Sequence, residues 1–128
     1  MWIDDEVTVF VLSGSSIGPR ATREQAARVI DKVDVPLGFA VGGTDDIARP
    51  QALQDIDLLA PGVPGYIAMR STGDHVKVST DPAIQAQVAE IGINWMDFTL
   101  NGNDEASHRL AVPASAHASD GPRRADVT

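Results

Sequence analysis

The chain has no cysteine among its 128 residues. Disulfides, thiolate metal sites and cysteine nucleophiles are therefore excluded, although the absence fits either redox compartment. Aromatic residues are scarce at 5%, so the core has to be built mainly from Val, Ile, Leu and Ala. Basic residues are also few: 10 Lys and Arg stand against 18 Asp and Glu, a net charge of −8. Residues 1–100 hold 14 acids and 7 bases, and residues 101–128 hold 4 and 3. That balance argues against nucleic acid or an anionic membrane surface as a partner, since both need Lys and Arg to neutralise phosphate. No apolar run approaches the roughly 18 residues of a membrane span. The N-terminus, Met1-Trp2-Ile3-Asp4-Asp5-Glu6, is acidic where a signal peptide would be basic. A soluble cytoplasmic protein is the expectation. Metal-ligand spacings of His and carboxylates are missing too, so neither a metal nor another cofactor is expected.

What is present reads as one domain with a tail. Val7–Leu12 is apolar or β-branched throughout, as in a strand covered on both faces. Thr22-Arg23-Glu24-Gln25 has the form of a capping box, and Ala26, Val29, Ile30 and Val33 follow at helical spacing. Leu37–Val41, between Pro36 and Gly42-Gly43, reads as a second buried strand, parallel to the first. A second helix is expected from about Pro50, with Leu53, Ile56 and Leu59 on one stripe. The period then changes to 2. Tyr66–Ser71 and His75–Thr80 flank Thr72-Gly73-Asp74, a spacing that predicts a hairpin. Asp81-Pro82 opens a third helix along Ile84, Val88 and Ile91, with Gly92 placed to cap it. Ile93–Leu100 is then a last strand, in which the adjacent Trp95 and Met96 face opposite sides. Residues 103–128 lack aromatics and a sustained period, and are expected to be disordered. The expected architecture is a compact α/β or α+β domain over residues 1–102. Its mixed sheet has about five strands and three helices, in the order β-α-β-α-β-β-α-β.

The turn between the first strand and first helix is the most suggestive segment for chemistry. Gly14-Ser15-Ser16-Ile17-Gly18 matches Gly-x-Ser-x-Gly, the pattern of a nucleophile elbow that lifts a serine clear of the sheet. Against that role for Ser16, the helical pattern starts only at Thr22, and no earlier loop exists to donate an oxyanion N–H. The same turn can cradle a phosphate through backbone N–H groups, with Arg20 nearby. It lacks the Lys-Ser/Thr of a Walker loop, and a glycine-rich connection with no ligand also accounts for it. If the two parallel strands are neighbours, Gly42-Gly43 lies at the same sheet edge, where open α/β sheets bind ligands. His75 beside Asp74 is a candidate general base, or simply an exposed hairpin residue.

The acidic excess and the shortage of motifs favour a non-catalytic interaction protein that engages a basic-surfaced protein partner. Trp2 and Tyr66 are side chains of the kind enriched at interfaces, and Asp45, Asp46, Asp55 and Asp57 are candidate contacts. The alternative is a small-molecule or phosphate-binding protein, or an enzyme, with its site at Gly14–Gly18.

Overall fold

The computed structural model describes residues 7–18, 20–70, 75–111 and 124–127, with Ala111 and 124–127 described by their backbone alone. The order is β1 (Val9–Leu12), α1 (Arg23–Ile30), β2 (Leu37–Val41), α2 (Arg49–Leu58) and β3 (Gly65–Arg70). Then come α3 (Lys77–Thr80), α4 (Pro82–Asn101), α5 (Asp104–Ala111) and β4 (Arg124–Val127). β1, β2 and β3 form the body of a parallel sheet in sequence order, and β4 adds along the far side of β3. Among the described residues no helix is long and apolar enough to cross a membrane.

Alternation along the strands builds two cores. On one face Leu37, Phe39, Val41, Ile67 and Met69 pack with Ile30 of α1 and Ala52 and Ile56 of α2. On the other, Ala40, Tyr66 and Ala68 meet Ile84, Val88 and Trp95 of α4 and Leu110 of α5. The sheet order thus runs one way from β1 to β4 while its helices change face. The β3–β4 crossover consequently has the opposite hand to the first two, an uncommon arrangement for parallel strands.

Register explains how the larger side chain fits. Phe10, Gly38 and Tyr66 lie in one row across the three strands. Trp95, 0% exposed, lies over the glycine; a Cβ on Gly38 would sit 2.9 Å from its indole and 3.0 Å from the Phe10 ring. Tyr66 stacks on Trp95 at 5.8 Å, and the indole Nε1–H donates to the Val9 carbonyl at 3.0 Å.

The expected elements hold through residue 70. The capping box at Thr22 forms, α1 ends at Ile30, and α2 begins beside Pro50. Beyond that, the described residues contain four strands and five helices, not the expected five and three. Tyr66–Arg70 is a strand but pairs with β2, and the second hairpin arm is instead the single turn α3. There Val76 accepts from the Ser79 N–H and from both hydroxyls of Ser79 and Thr80. The residues Thr72-Gly73-Asp74, expected as the hairpin turn, lie outside the described residues.

Ile93–Leu100 is not a strand but the second half of α4. Its β-branched and aromatic content imitates a strand, yet Ile84, Val88, Gly92 and Trp95 are all buried along one helical stripe. Gly92 does not cap: a Cβ there would be 3.2 Å from the Phe10 ring, and the cap is Gly102 at φ 66°. Because the segment is helical, Trp95 is buried and Met96, its neighbour, is 42% exposed.

Residues 104–111, assigned by sequence to a disordered tail, form α5. Asn103 accepts the Glu105 and Ala106 N–H groups at its start and donates to Asp97 at the end of α4. Two donors, Asn101 and Asn103, hold the Asp97 carboxyl below its ordinary value. Ala106 and Leu110 are buried, and the Leu110 carbonyl accepts the Tyr66 hydroxyl at 3.0 Å. Residues 112–123 lie outside the described residues.

Candidate functional site

The β1-to-α1 and β2-to-α2 connections meet at the C-terminal edge of the parallel sheet, where His75, ahead of α3, joins them. β1 releases the chain at Ser13, whose φ of 47° is the left-handed region that non-glycine residues seldom enter. Its N–H still closes the ladder onto Ala40. The following loop is fastened from beneath by Asp55, which points inward from α2 and is 0% exposed. Its carboxylate accepts the Ser16 N–H and the Ser16 hydroxyl, each at 2.7 Å. Ser15 Oγ turns away to the Ile17 carbonyl.

A second aspartate organises the next connection. Asp46, 1% exposed, accepts the Gly42 N–H at 2.7 Å and the Ala48 N–H at 2.8 Å. It also meets His75 Nδ1 at 3.0 Å, so residues from the second and third connections share one carboxylate. Burial alone would raise the Asp46 pKa, but the Gly42 and Ala48 N–H groups and His75 outweigh it and hold the carboxyl below its ordinary 3.8. An ionised Asp46 fixes the proton of neutral His75 on Nδ1 and leaves a lone pair on Nε2.

Between these loops lies a cleft of about 450 Å³. Ser13 to Gly18 form one wall, and Ile47, Ala48 and His75 complete it. Ile47 is 61% exposed. Beside the cleft, and sharing Ser13 with it, is a space of about 10 Å³ lined by Gly42, Arg70 and Lys77 among others. Arg70 Nε is buried there with no partner among the described residues, while another of its nitrogens reaches Gln87. A space of this size holds about one water molecule.

The structure therefore brings Gly14, Ser15, Ser16, Gly18 and His75 to one cleft. Gly42 and Gly43 serve by supporting Asp46 through an N–H and a carbonyl. Arg20 is exposed and does not line the cleft. Ser16 and His75 share the cleft, but each is bonded to a different aspartate, and Ser16 gives its proton to Asp55. Asp74 and Trp2 lie outside the described residues. Of the expected contact residues, Asp45 and Asp57 are exposed, whereas Asp46, Asp55 and Tyr66 are buried and offer no surface to a partner. Burial pushes the Tyr66 phenol well up, so it stays a donor to Leu110. Among the described residues no three His, Asp or Glu are grouped to hold a metal ion. The sequence reading missed the Asp46–His75 pair, 29 residues apart, and the approach of Arg70 and Lys77. No local spacing encodes either.

Asp55 sets a pH dependence. Burial raises its pKa above 3.8, and the two Ser16 donors pull it only partly back. A raised folded-state value favours folding fully below the unfolded value, and that gain disappears as pH rises through the folded value. Asp55→Asn can keep both contacts, its carbonyl accepting the Ser16 N–H and its amide donating to Ser16 Oγ. On acidification from pH 7 to about pH 4, the wild type should gain thermal stability relative to this variant. Melting curves that stay parallel across that range would show that Asp55 is not the titrating group. Asp46 acts oppositely and lower, its contribution being lost only as pH falls below the ordinary range and through its depressed value.

No protein-family model, curated protein or solved structure matches the chain.

Proposed function

We propose that the chain is a small-molecule-binding domain that holds an oxyanion-bearing ligand in the cleft at the C-terminal edge of β1 and β2. One observation carries this reading. Six consecutive residues wall the cleft, and the N–H groups of Gly14, Ser15, Ile17 and Gly18 meet no acceptor among the described residues. Unclaimed N–H groups clustered in one turn, here two pairs on either side of the Asp55-bound Ser16, form a site for an anion. His75 adds a further donor once its imidazole is protonated, and Arg70 and Lys77 flank the site. Ile47 gives the rest of the ligand an apolar wall. The two aspartates hold the loops in place before a ligand arrives, which lowers the ordering cost of binding.

Titration with inorganic phosphate, followed by ¹H–¹⁵N spectra, tests the proposal. The Gly14, Ser15, Ile17 and Gly18 amides should shift saturably in the millimolar range, and chloride at equal ionic strength should not move them. His75→Gln should weaken binding about tenfold, the worth of one charge-assisted hydrogen bond. Shifts that grow linearly and equally in both salts would refute an oxyanion site.

The net charge of −8 favours a second reading, a docking protein for a basic partner. Among the four aspartates considered, that reading now rests on Asp45 and Asp57. Its mark would be association that slows steeply with salt and with charge reversal at either residue.

A further inference from the structure

β1 is the edge of the sheet: among the described residues it pairs with β2 alone. Its Val9 and Ser13 N–H groups turn towards β2, so the alternation of a parallel ladder turns the N–H and C=O of Phe10 and Leu12 outward. An apolar groove flanks this open edge on each face of the sheet. One, of about 390 Å³, runs between β1 and α4 and is lined by Phe10, Leu12, Val88, Gly92, Ile93 and Met96 among others. The other, of about 320 Å³, lies beside α1 and the segment that follows it, with Val9, Val11, Val29, Val33 and Val35 in its lining. Four of the exposed large apolar side chains line these two grooves: Leu12 at 48%, Val29 at 41%, Ile93 at 62% and Met96 at 42%. An added strand would send alternate side chains into the two grooves.

We infer that the occupant is a second copy of this chain, paired β1 to β1 in antiparallel fashion about a two-fold axis. Three features favour a copy. First, the vacant position calls for a strand that is apolar on both faces, and Val9-Phe10-Val11-Leu12 is such a strand. Pairing about a two-fold makes the two sheets one and sets α4 beside α4 and α1 beside α1, so each exposed apolar residue meets the same patch on its partner. Second, the charge permits it. In a chain of net −8, the residues lining the two grooves include one base, Lys32, and one acid, Asp34, so like charges do not crowd the contact. Third, the area fits a weak, concentration-dependent pair. α4 is about 30 Å long, while β1 and α1 are each about 12–13 Å, so helices ~10 Å across and a strand spacing of ~5 Å give a face of roughly 500 Å² per partner. That lies below the ~800 Å² per partner of a standard interface and within the range of weak complexes.

Sedimentation and amide hydrogen exchange on the full chain test the dimer together. Mass should rise with concentration from 13.5 kDa towards twice that value. The Phe10 and Leu12 amides should gain protection over the same concentration range. Ile93→Lys and Leu12→Lys place a charge at already exposed positions and should return the mass to the monomer without lowering the melting temperature of dilute protein. A chain that stays monomeric at every concentration refutes the proposal. So does protection of Phe10 and Leu12 that is independent of concentration, because the edge would then be covered from within the same molecule. Dimers that persist in both lysine variants would place the interface elsewhere and equally overturn it.

Discussion

Trp95→Ala should cost about 3–5 kcal/mol, the range for deleting a large buried aromatic. Such a loss takes a large share of the ~5–15 kcal/mol by which most domains are stable. Little can refill the space. Opposite the indole stands Gly38, which has no side chain to lean in, and Phe10 and Tyr66 are fixed at either side by the strand register. The change also removes a donor from the Val9 carbonyl at the edge strand. Urea denaturation measures the loss, and a double-mutant cycle checks its cause. Gly38→Ala alone overpacks the indole and should cost roughly 1–3 kcal/mol. In the Trp95→Ala background the same methyl should cost less, since only the Phe10 ring still presses on it, and the difference is the coupling between Gly38 and Trp95. Additive costs would mean that the close approach of Gly38 and Trp95 does not constrain the fold.

Cutting the chain after Gly102 should lower the melting temperature by on the order of 10 °C. The cut removes α5 and β4 together. It exposes the sites of Ala106 and Leu110, worth about 2–3 kcal/mol of apolar burial. It also leaves the buried Tyr66 hydroxyl without its acceptor, at a further 1–3 kcal/mol or so. Asn94 loses Arg109, which donates to it at 2.8 Å. Differential scanning calorimetry of the shortened and full chains makes the comparison. Leu110→Ala and Tyr66→Phe in the full chain separate the burial from the hydrogen bond. A shift of only two or three degrees on truncation would show that α5 rests on the domain without supporting it.

The first half of this fold is written in local signals that agree with one another. Leu37–Val41 is apolar on both faces because helices cover both, and Val9–Leu12 is equally apolar at the sheet edge, where the helices cover it only in part. Thr22 and Gln25 satisfy each other's backbone whatever the rest of the chain does. Beyond Arg70 local and tertiary preferences diverge. Ile93, Trp95, Phe98 and Thr99 favour a strand, but the sheet needs a long helix over Gly38, and Gly92 is small because Phe10 presses on the helix there. α5 was within reach: Gly102-Asn103 combines a helix stop with a cap, acids open the next turn, His108 and Arg109 close it, and Ala106 and Leu110 stand four apart. Low apolar content concealed it. The cleft was half legible. The glycine turn is local, but Asp55 holds it across 39 residues and Asp46 meets His75 across 29, and only folding brings them near.

The change of covered face partway along the chain also sets an order of events during synthesis. β1, β2 and β3 pair through crossovers of about two dozen residues each, whereas more than fifty separate β3 from β4. Emerging N-terminus first, the chain can complete its three-stranded half before α4 has emerged. At roughly 5–20 residues per second, the stretch from Arg70 to Asn101 takes about 2–6 s to translate. Through that interval the row of Phe10, Gly38 and Tyr66 is bare to water, with an open strand edge beside it. A nascent chain that has emerged only as far as Arg70 is therefore the species most apt to recruit a chaperone, and one that has emerged through Asn101 can cover that face with its own helix.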